Sequence, residues 1–208
     1  MVCVGMLMIP NTSTTPYRNW FKKKGVKIVS IPYNTIKYGK YLNMIDGLFI
    51  PGTVSGKGNS ILKHKTFMEA ATTYFILSVQ KHLPIWGTCF GFELLMCIVG
   101  NITKCNMHSA HGLYPIHTYK SRLFGMVHEI SNTFHNHDYG ISVHDFKNNV
   151  HLRNFYNISA TAIDDKNQEY VAAIESKHYP IYGVQWHPEK DVTSDACIRF
   201  FISELTHS

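Results

Sequence analysis

Two short segments carry side chains whose types and spacing suit nucleophilic chemistry. The first is Gly87-Thr88-Cys89-Phe90-Gly91, inside PIWGTCFGFELL at 84–95. A strand-like apolar run precedes the cysteine and a helix-like run follows it, so the pattern has the form of a nucleophile elbow. A tight turn holds the central residue in a strained conformation, and the flanking glycines remove side chains that would clash. The thiol then stands at the carboxyl end of a sheet, where open α/β folds place ligands. It also stands at the amino end of a helix, whose dipole is expected to lower the thiol pKa and whose free N–H groups can bind an oxyanion. A short motif of this kind also describes a small buried thiol beside a glycine turn, so the elbow needs a partner elsewhere in the chain.

The second segment, YPIYGVQWHPEK at 179–190, supplies one. It reads as a buried strand from Ile181 to Trp186 that ends in His187-Pro188-Glu189. Residues two apart on an extended chain face the same side, so His187 and Glu189 can meet. Pro188 keeps His187 out of the helical region. A carboxylate beside the imidazole fixes its tautomer and favours the protonated form, which stabilises a thiolate. With 13 histidines in the chain, a histidine near a glutamate is cheap; the position at the end of a core strand singles out His187. His64, His82, His178 and His207 read as surface residues. HSAH at 108–111 has helix-like ligand spacing but no further ligand, and no metal site is expected.

The elements that must position these residues follow from the apolar pattern. Strand-like runs recur at Val2–Ile9, Val26–Ile31, Gly47–Ile50 and Pro84–Gly87. Between them Tyr17–Lys24 and Thr66–Lys81 have helical spacing, the second with Phe67, Ala70, Ala71, Tyr74, Ile76 and Leu77 on one stripe. Strands alternating with helices predict a mostly parallel sheet covered on both faces. In the second half GLYPIHTY, HDYGISVHDF, NISATAID, EYVAAIES and YPIYGVQW read as short strands with few helices between them, hence hairpins or mixed pairing attached to the parallel core. SDACIRFFISEL closes the chain as an amphipathic helix, capped by Ser194 or Asp195, with Ala196, Ile198, Phe200, Phe201 and Leu205 inward.

Composition bounds the rest. The 208 residues, 45% hydrophobic and 16% charged, suit one globular domain over 1–208 that needs no metal or disulfide to hold its core. The five cysteines (3, 89, 97, 105, 197) are odd in number and lack C-x-x-C spacing, which argues against a disulfide framework or structural zinc. The net charge of +6 selects no partner, and without a nucleic-acid motif or a long apolar run neither nucleic acid nor membrane is expected. MVCVGMLMIP lacks a basic leader region and reads as a first core strand. The expected location is cytoplasmic by default, or secreted or lysosomal if the chain is a mature form.

PIWGTCFGFELL together with YPIYGVQWHPEK resembles the class I glutamine amidotransferase superfamily and, within it, the γ-glutamyl hydrolases. VGMLMIPN, GVKIVSIPYN, IDGLFIPG, SRLF and NHDYGIS extend the likeness over nearly the whole chain. Amidotransferases carry Gln four residues after the nucleophile; here the residue is Glu93, as in γ-glutamyl hydrolases, and Trp86 and NHDYGIS point the same way. The resemblance implies a three-layer, flavodoxin-like α/β fold with a mostly parallel central sheet and a smaller strand-rich addition. It implies a hydrolase without cofactor or metal that cleaves γ-glutamyl amide bonds, above all of folyl or antifolate poly-γ-glutamates, through a thioester on Cys89. His187 would shuttle protons and Glu189 would orient it. The backbone N–H of Phe90 and one near Gly52 to Thr53 would bind the oxyanion, His137 would contact substrate or assist protonation, and Glu93 would face substrate. A homodimer is also implied.

The chain departs from the family at Pro51-Gly52-Thr53, where a second glycine is usual. A β-branched Thr53 there would narrow or reshape the pocket. Two other readings keep the fold: a glutaminase subunit serving a synthase partner, and a non-catalytic binding protein with Thr53 blocking the oxyanion hole.

Overall fold

The computed structural model describes residues 1–54, 56–126, 132–191 and 195–206. Nine strands form one sheet: β1 (Cys3–Leu7), β2 (Lys27–Ile31), β3 (Gly47–Ile50), β4 (Ile85–Thr88), β5 (Asn106–Thr118), β6 (Asn132–Gly140), β7 (Tyr156–Ile163), β8 (Glu169–Ser176) and β9 (Ile181–Val184). Their order is β2-β1-β3-β4-β9-β8-β7-β5-β6. Pairing is parallel from β2 to β9 and antiparallel from β9 to β6. The helices are α1 (Thr15–Lys23), α2 (Tyr38–Leu42), α3 (Gly58–Ile61), α4 (Lys65–Gln80), α5 (Phe90–Gly100), α6 (Arg122–Met126), α7 (Val143–Asn148), α8 (Val150–Phe155) and α9 (Asp195–Leu205).

The expected three-layer fold, with a parallel core and an antiparallel addition, is the one observed. Its layers follow from the period-2 alternation of the strands. Leu48 and Ile50 of β3 face one way and join a core with Phe67, Ala71 and Tyr74 of α4 and Phe92 and Leu95 of α5. Phe49 faces the other way and joins Tyr17 and Phe21 of α1 and Ile198 and Phe201 of α9. Both faces of the central strands are covered, so β3 and β4 are buried at every position and read as unbroken apolar runs. Lys24 Nζ reaches Asp195 Oδ2 at 2.6 Å and ties the end of α1 to the start of α9.

Several sequence expectations are corrected. In α4, Ile76 is 48% exposed, whereas Phe75 and Ser78 are buried. SVHDF is helical rather than extended, because the Ser142 hydroxyl accepts the Asp145 N–H at 2.9 Å and caps α7. HSAH lies on β5, so helical ligand spacing does not apply. His108 is buried against Asp164 (2.8 Å), while His111 is exposed against Asp138 (3.1 Å). In α9, Cys197 rather than Ala196 is buried. Asp195 is the first helical residue; Ser194 and His207 lie outside the described residues. His64 is exposed as expected, yet its Nδ1 caps α4 by accepting the Phe67 N–H at 3.2 Å. Among the described residues no helix is long and apolar enough to cross a membrane.

Candidate active site

β4 ends at Thr88 and α5 begins at Phe90, leaving Cys89 alone at the turn with φ +52° and ψ −111°. A non-glycine residue in that conformation stores on the order of 1–3 kcal/mol. The surroundings enforce it. A Cβ on Gly91 would stand on the carbonyl of Ile50, and one on Gly87 would come within 2.6 Å of the Gly91 oxygen. Only glycines let the first turn of α5 pass this close to β3 and β4. The Cys89 N–H donates to the Val184 carbonyl at 2.8 Å, which locks the turn to β9.

Strand register then assembles the site. Ile50 pairs with Gly87 and Thr88 with Val184, so the carboxyl ends of β3, β4 and β9 lie side by side. The residues that follow them are Gly52, Cys89 and His187. Gly52 sits between the other two: a Cβ there would be 3.1 Å from Cys89 Cβ, 3.1 Å from His187 Cε1 and 2.6 Å from Tyr17 Oη. His187 Nδ1 meets Glu189 Oε1 at 2.7 Å, with both side chains buried. Because Glu189 holds Nδ1, the proton of a neutral His187 sits there. Nε2 has no hydrogen-bond partner and is the atom left to exchange a proton with a nucleophile.

Tyr17, which no spacing in the sequence marks, is the fourth member. Its hydroxyl accepts the Gly52 N–H at 3.0 Å and lies 3.4 Å from His187 Nδ1. The Gly52 N–H expected to serve an oxyanion is therefore engaged by Tyr17 in this state. The Phe90 N–H points at the Cys89 sulfur and favours its anion.

The electrostatics overturn one expectation. Burial, then Glu93 and Glu189, push the Cys89 thiol well above its ordinary range, outweighing the Phe90 N–H and Lys190. Desolvation of a sulfur anion costs more here than the helix end returns, which favours the neutral thiol at Cys89. Glu93 is itself pushed up to about 8 by burial and by Asp138, against a lowering bond from Gln185. Gln185 Nε2 donates to Glu93 Oε1 at 3.0 Å, while Glu93 Oε2 has no hydrogen-bond partner. A protonated Glu93 near neutrality leaves one carboxylate, not two, opposing a thiolate. Gln185 was legible in principle, since it lies two residues before His187 on an extended chain.

The cleft over Cys89 is nearly closed, with a free volume of about 10 Å³ and Phe90, Glu93, Asn136, His137, Tyr139 and Thr53 among its walls. His137 is thus brought to the nucleophile from β6, in the antiparallel half. Burial pushes its pKa down to about 3, and His187 adds to the effect. A second hollow of about 380 Å³ adjoins the cleft through Thr53 and Val54 and is lined also by Thr12, Lys57 and His64. Thr53 stands between the two, its hydroxyl 2.7 Å from that of Thr12. Arg122 is committed elsewhere, its Nη2 donating to both carboxylate oxygens of Glu204 at 2.9 Å. Among the described residues no three His, Cys, Asp or Glu side chains are grouped to hold a metal.

A parallel sheet core with a cysteine at the turn after β4 and a histidine–carboxylate pair after β9 defines an α/β class whose strand ends carry the candidate site. A sequence model of the family Glutamine amidotransferase class-I matches residues 14–202, and the chain belongs to that family. Its curated relatives are γ-glutamyl hydrolases. It is 30% identical over 196 residues to the enzyme of Rattus norvegicus, covering 84% of this chain and 59% of that one. It is 32% identical over 190 residues to γ-glutamyl hydrolase 2 of Arabidopsis thaliana, covering 80% and 52%. The chain thus spans between half and three-fifths of the length of these relatives. Among solved structures, the glutaminase domain of Trypanosoma brucei CTPS with bound acivicin superposes with a TM-score of 0.72 at 14% identity, covering 100% of this chain and 95% of that one. A glutamine amidotransferase of Thermotoga maritima gives 0.65 at 13% identity, covering 99% and 84%. At these identities the structural likeness concerns the fold.

Proposed function

We propose that this protein hydrolyses γ-glutamyl amide bonds with Cys89 as nucleophile, and that its substrates are poly-γ-glutamates of the folyl or antifolate type. The observation that carries the reading is the placement of Cys89 and His187 on either side of Gly52, with Glu189 on His187 Nδ1. The larger hollow that adjoins the cleft through Thr53 and Val54 supports a substrate that extends away from the scissile bond on that side.

His187 Nε2 takes the thiol proton as Cys89 Sγ attacks the γ-carbonyl carbon, and Glu189 stabilises the imidazolium. The carbonyl oxygen becomes an oxyanion against the Phe90 N–H. Tyr17 turns its hydroxyl, or yields the Gly52 N–H, to provide a second donor. As the tetrahedral species collapses, His187 Nε2–H protonates the departing amine and a thioester remains on Cys89. Water then attacks the thioester, giving its proton to His187, which returns it to the sulfur as the glutamyl carboxylate leaves. A thiol resting state suits this sequence, because proton transfer and attack occur together once substrate has displaced water from the cleft.

The test is mass-resolved hydrolysis of pteroyl-penta-γ-glutamate by the wild type and Cys89→Ala, with glutamine as a parallel substrate. Loss of γ-linked glutamate that disappears in Cys89→Ala is the expected result. Ammonia release from glutamine without polyglutamate cleavage would replace this reading with the glutaminase one. Tight binding without turnover of either would leave a binding protein.

A further inference from the structure

The β6 strand carries an arrangement that the hydrolytic machinery does not explain. Thr133, His135 and His137 alternate onto one face, and all three are buried. Thr133 Oγ1 lies 2.7 Å from His135 Nε2, and His135 Nδ1 lies 3.1 Å from His137 Nε2. From β8, Tyr170 Oη reaches the same His135 Nδ1 at 2.9 Å. The chain of contacts ends at His137, whose Nδ1 is buried without a hydrogen-bond partner in a residue that walls the nucleophile's cleft.

We propose that His135 is a positioning residue that holds His137 as its Nδ1–H tautomer, so that His137 presents a hydrogen-bond donor, not a base, to an acceptor oxygen of the substrate. Lone pairs decide the tautomer. An unprotonated imidazole nitrogen has a single in-plane lone pair, whereas an N–H can be shared between two acceptors. His135 Nδ1 has two neighbours, Tyr170 Oη and His137 Nε2. If Nδ1 were the acceptor, the Tyr170 hydroxyl and a His137 N–H would compete for one lone pair, or two ring lone pairs would face each other. With the proton on His135 Nδ1 both neighbours accept, and His135 Nε2 accepts from the Thr133 hydroxyl. His137 Nε2 is then an acceptor and its proton must sit on Nδ1. Burial pushes both rings toward the neutral state in which a tautomer is defined.

This proposal rests on the reading of His137 as a substrate-facing residue, but its first test needs no substrate. Long-range proton–nitrogen spectra of histidine-labelled wild type near pH 7 should give His137 as the Nδ1–H form; the Nε2–H form would overturn the proposal whatever the enzyme hydrolyses. The second test uses turnover of the polyglutamate. His135→Leu should raise KM with a smaller change in kcat, losing on the order of 10–100-fold in kcat/KM for one misdirected hydrogen bond. His135→Asn, whose side-chain amide nitrogen stands where Nδ1 stood, should restore most of that loss. Equal kcat/KM in the leucine variant and the wild type would refute the role. If the leucine variant does not fold, the wild-type tautomer decides, and absence of any polyglutamate cleavage would count against the hydrolase while leaving the tautomer result intact.

Discussion

The parallel and antiparallel halves of the sheet contribute to the site by different means. In the parallel half, β3, β4 and β9 end together, and Gly52, Cys89 and His187 follow their ends as a consequence of backbone register. Glycines there are required by backbone approaching backbone, as Gly91 against Ile50 demonstrates. In the antiparallel half the contribution is a wall of side chains on β6, fixed by hydrogen bonds between rings and hydroxyls. The first half sets where the sulfur and His187 stand, and the second sets which side chains wall the cleft opposite them. The positions of Cys89 and His187 are thus specified by turns and strand ends, whereas the facing wall depends on long-range pairing.

The largest losses are expected from changes in the parallel half. If hydrolysis proceeds as proposed, Cys89→Ala should lower kcat by about 10⁴-fold or more, measured on the pentaglutamate with folding checked by circular dichroism. Glu189→Gln should cost roughly 10²–10⁴-fold in kcat, because the amide no longer supports the imidazolium. A kcat within threefold of the wild type would remove Glu189 from the machinery.

Two glycines sharpen the structural side. Gly91→Ala forces a methyl against the Ile50 carbonyl, and a loss of about 3 kcal/mol is expected in denaturant unfolding. Gly112 in β5 has φ +126° and open space around its would-be Cβ. Its alanine variant carries only conformational strain, about 1–2 kcal/mol, a shift of several degrees in Tm. A larger loss at Gly112 than at Gly91 would contradict the contrast drawn between the halves.

The pH dependence of stability separates the two halves by sign. Glu93 rises from 4.5 in the unfolded chain to about 8 in the folded one. The folded state holds that proton more tightly, so its stabilisation is complete below pH 4.5 and is lost as pH rises toward 8. His137 falls from 6.5 to about 3, and its contribution is present above pH 6.5 and lost as pH falls toward 3. Unfolding curves across this range should show Glu93→Gln gaining on the wild type from pH 5 to pH 8. His137→Asn should gain from pH 6.5 down to pH 4. Parallel curves for either variant would count against the burial that produces the shifts.

Cys89, its glycines, His187 and Glu189 could be read from the sequence because each depends on near neighbours: a turn needs its own glycines, and a two-residue spacing fixes a shared side. The parallel core was legible for the same reason, since strands covered on both faces are short apolar runs. Other features were not legible. Tyr17 reaches Gly52 and His187 only because α1 packs on Phe49 of β3. His135 gave no signal, because its partner Tyr170 is 35 residues away, on a strand that does not pair with its own. The state of the thiol was misjudged because a helix end and a nearby histidine are visible along the chain, while the completeness of burial and the approach of Glu93 are not. The sequence alone determined that a cysteine at a glycine turn and a histidine–carboxylate pair stand at strand ends, since backbone sterics and apolar patterning are local. The tertiary structure alone decided which groups face that pair and how their protons are held, since desolvation and hydrogen-bond partners depend on segments brought together from across the chain.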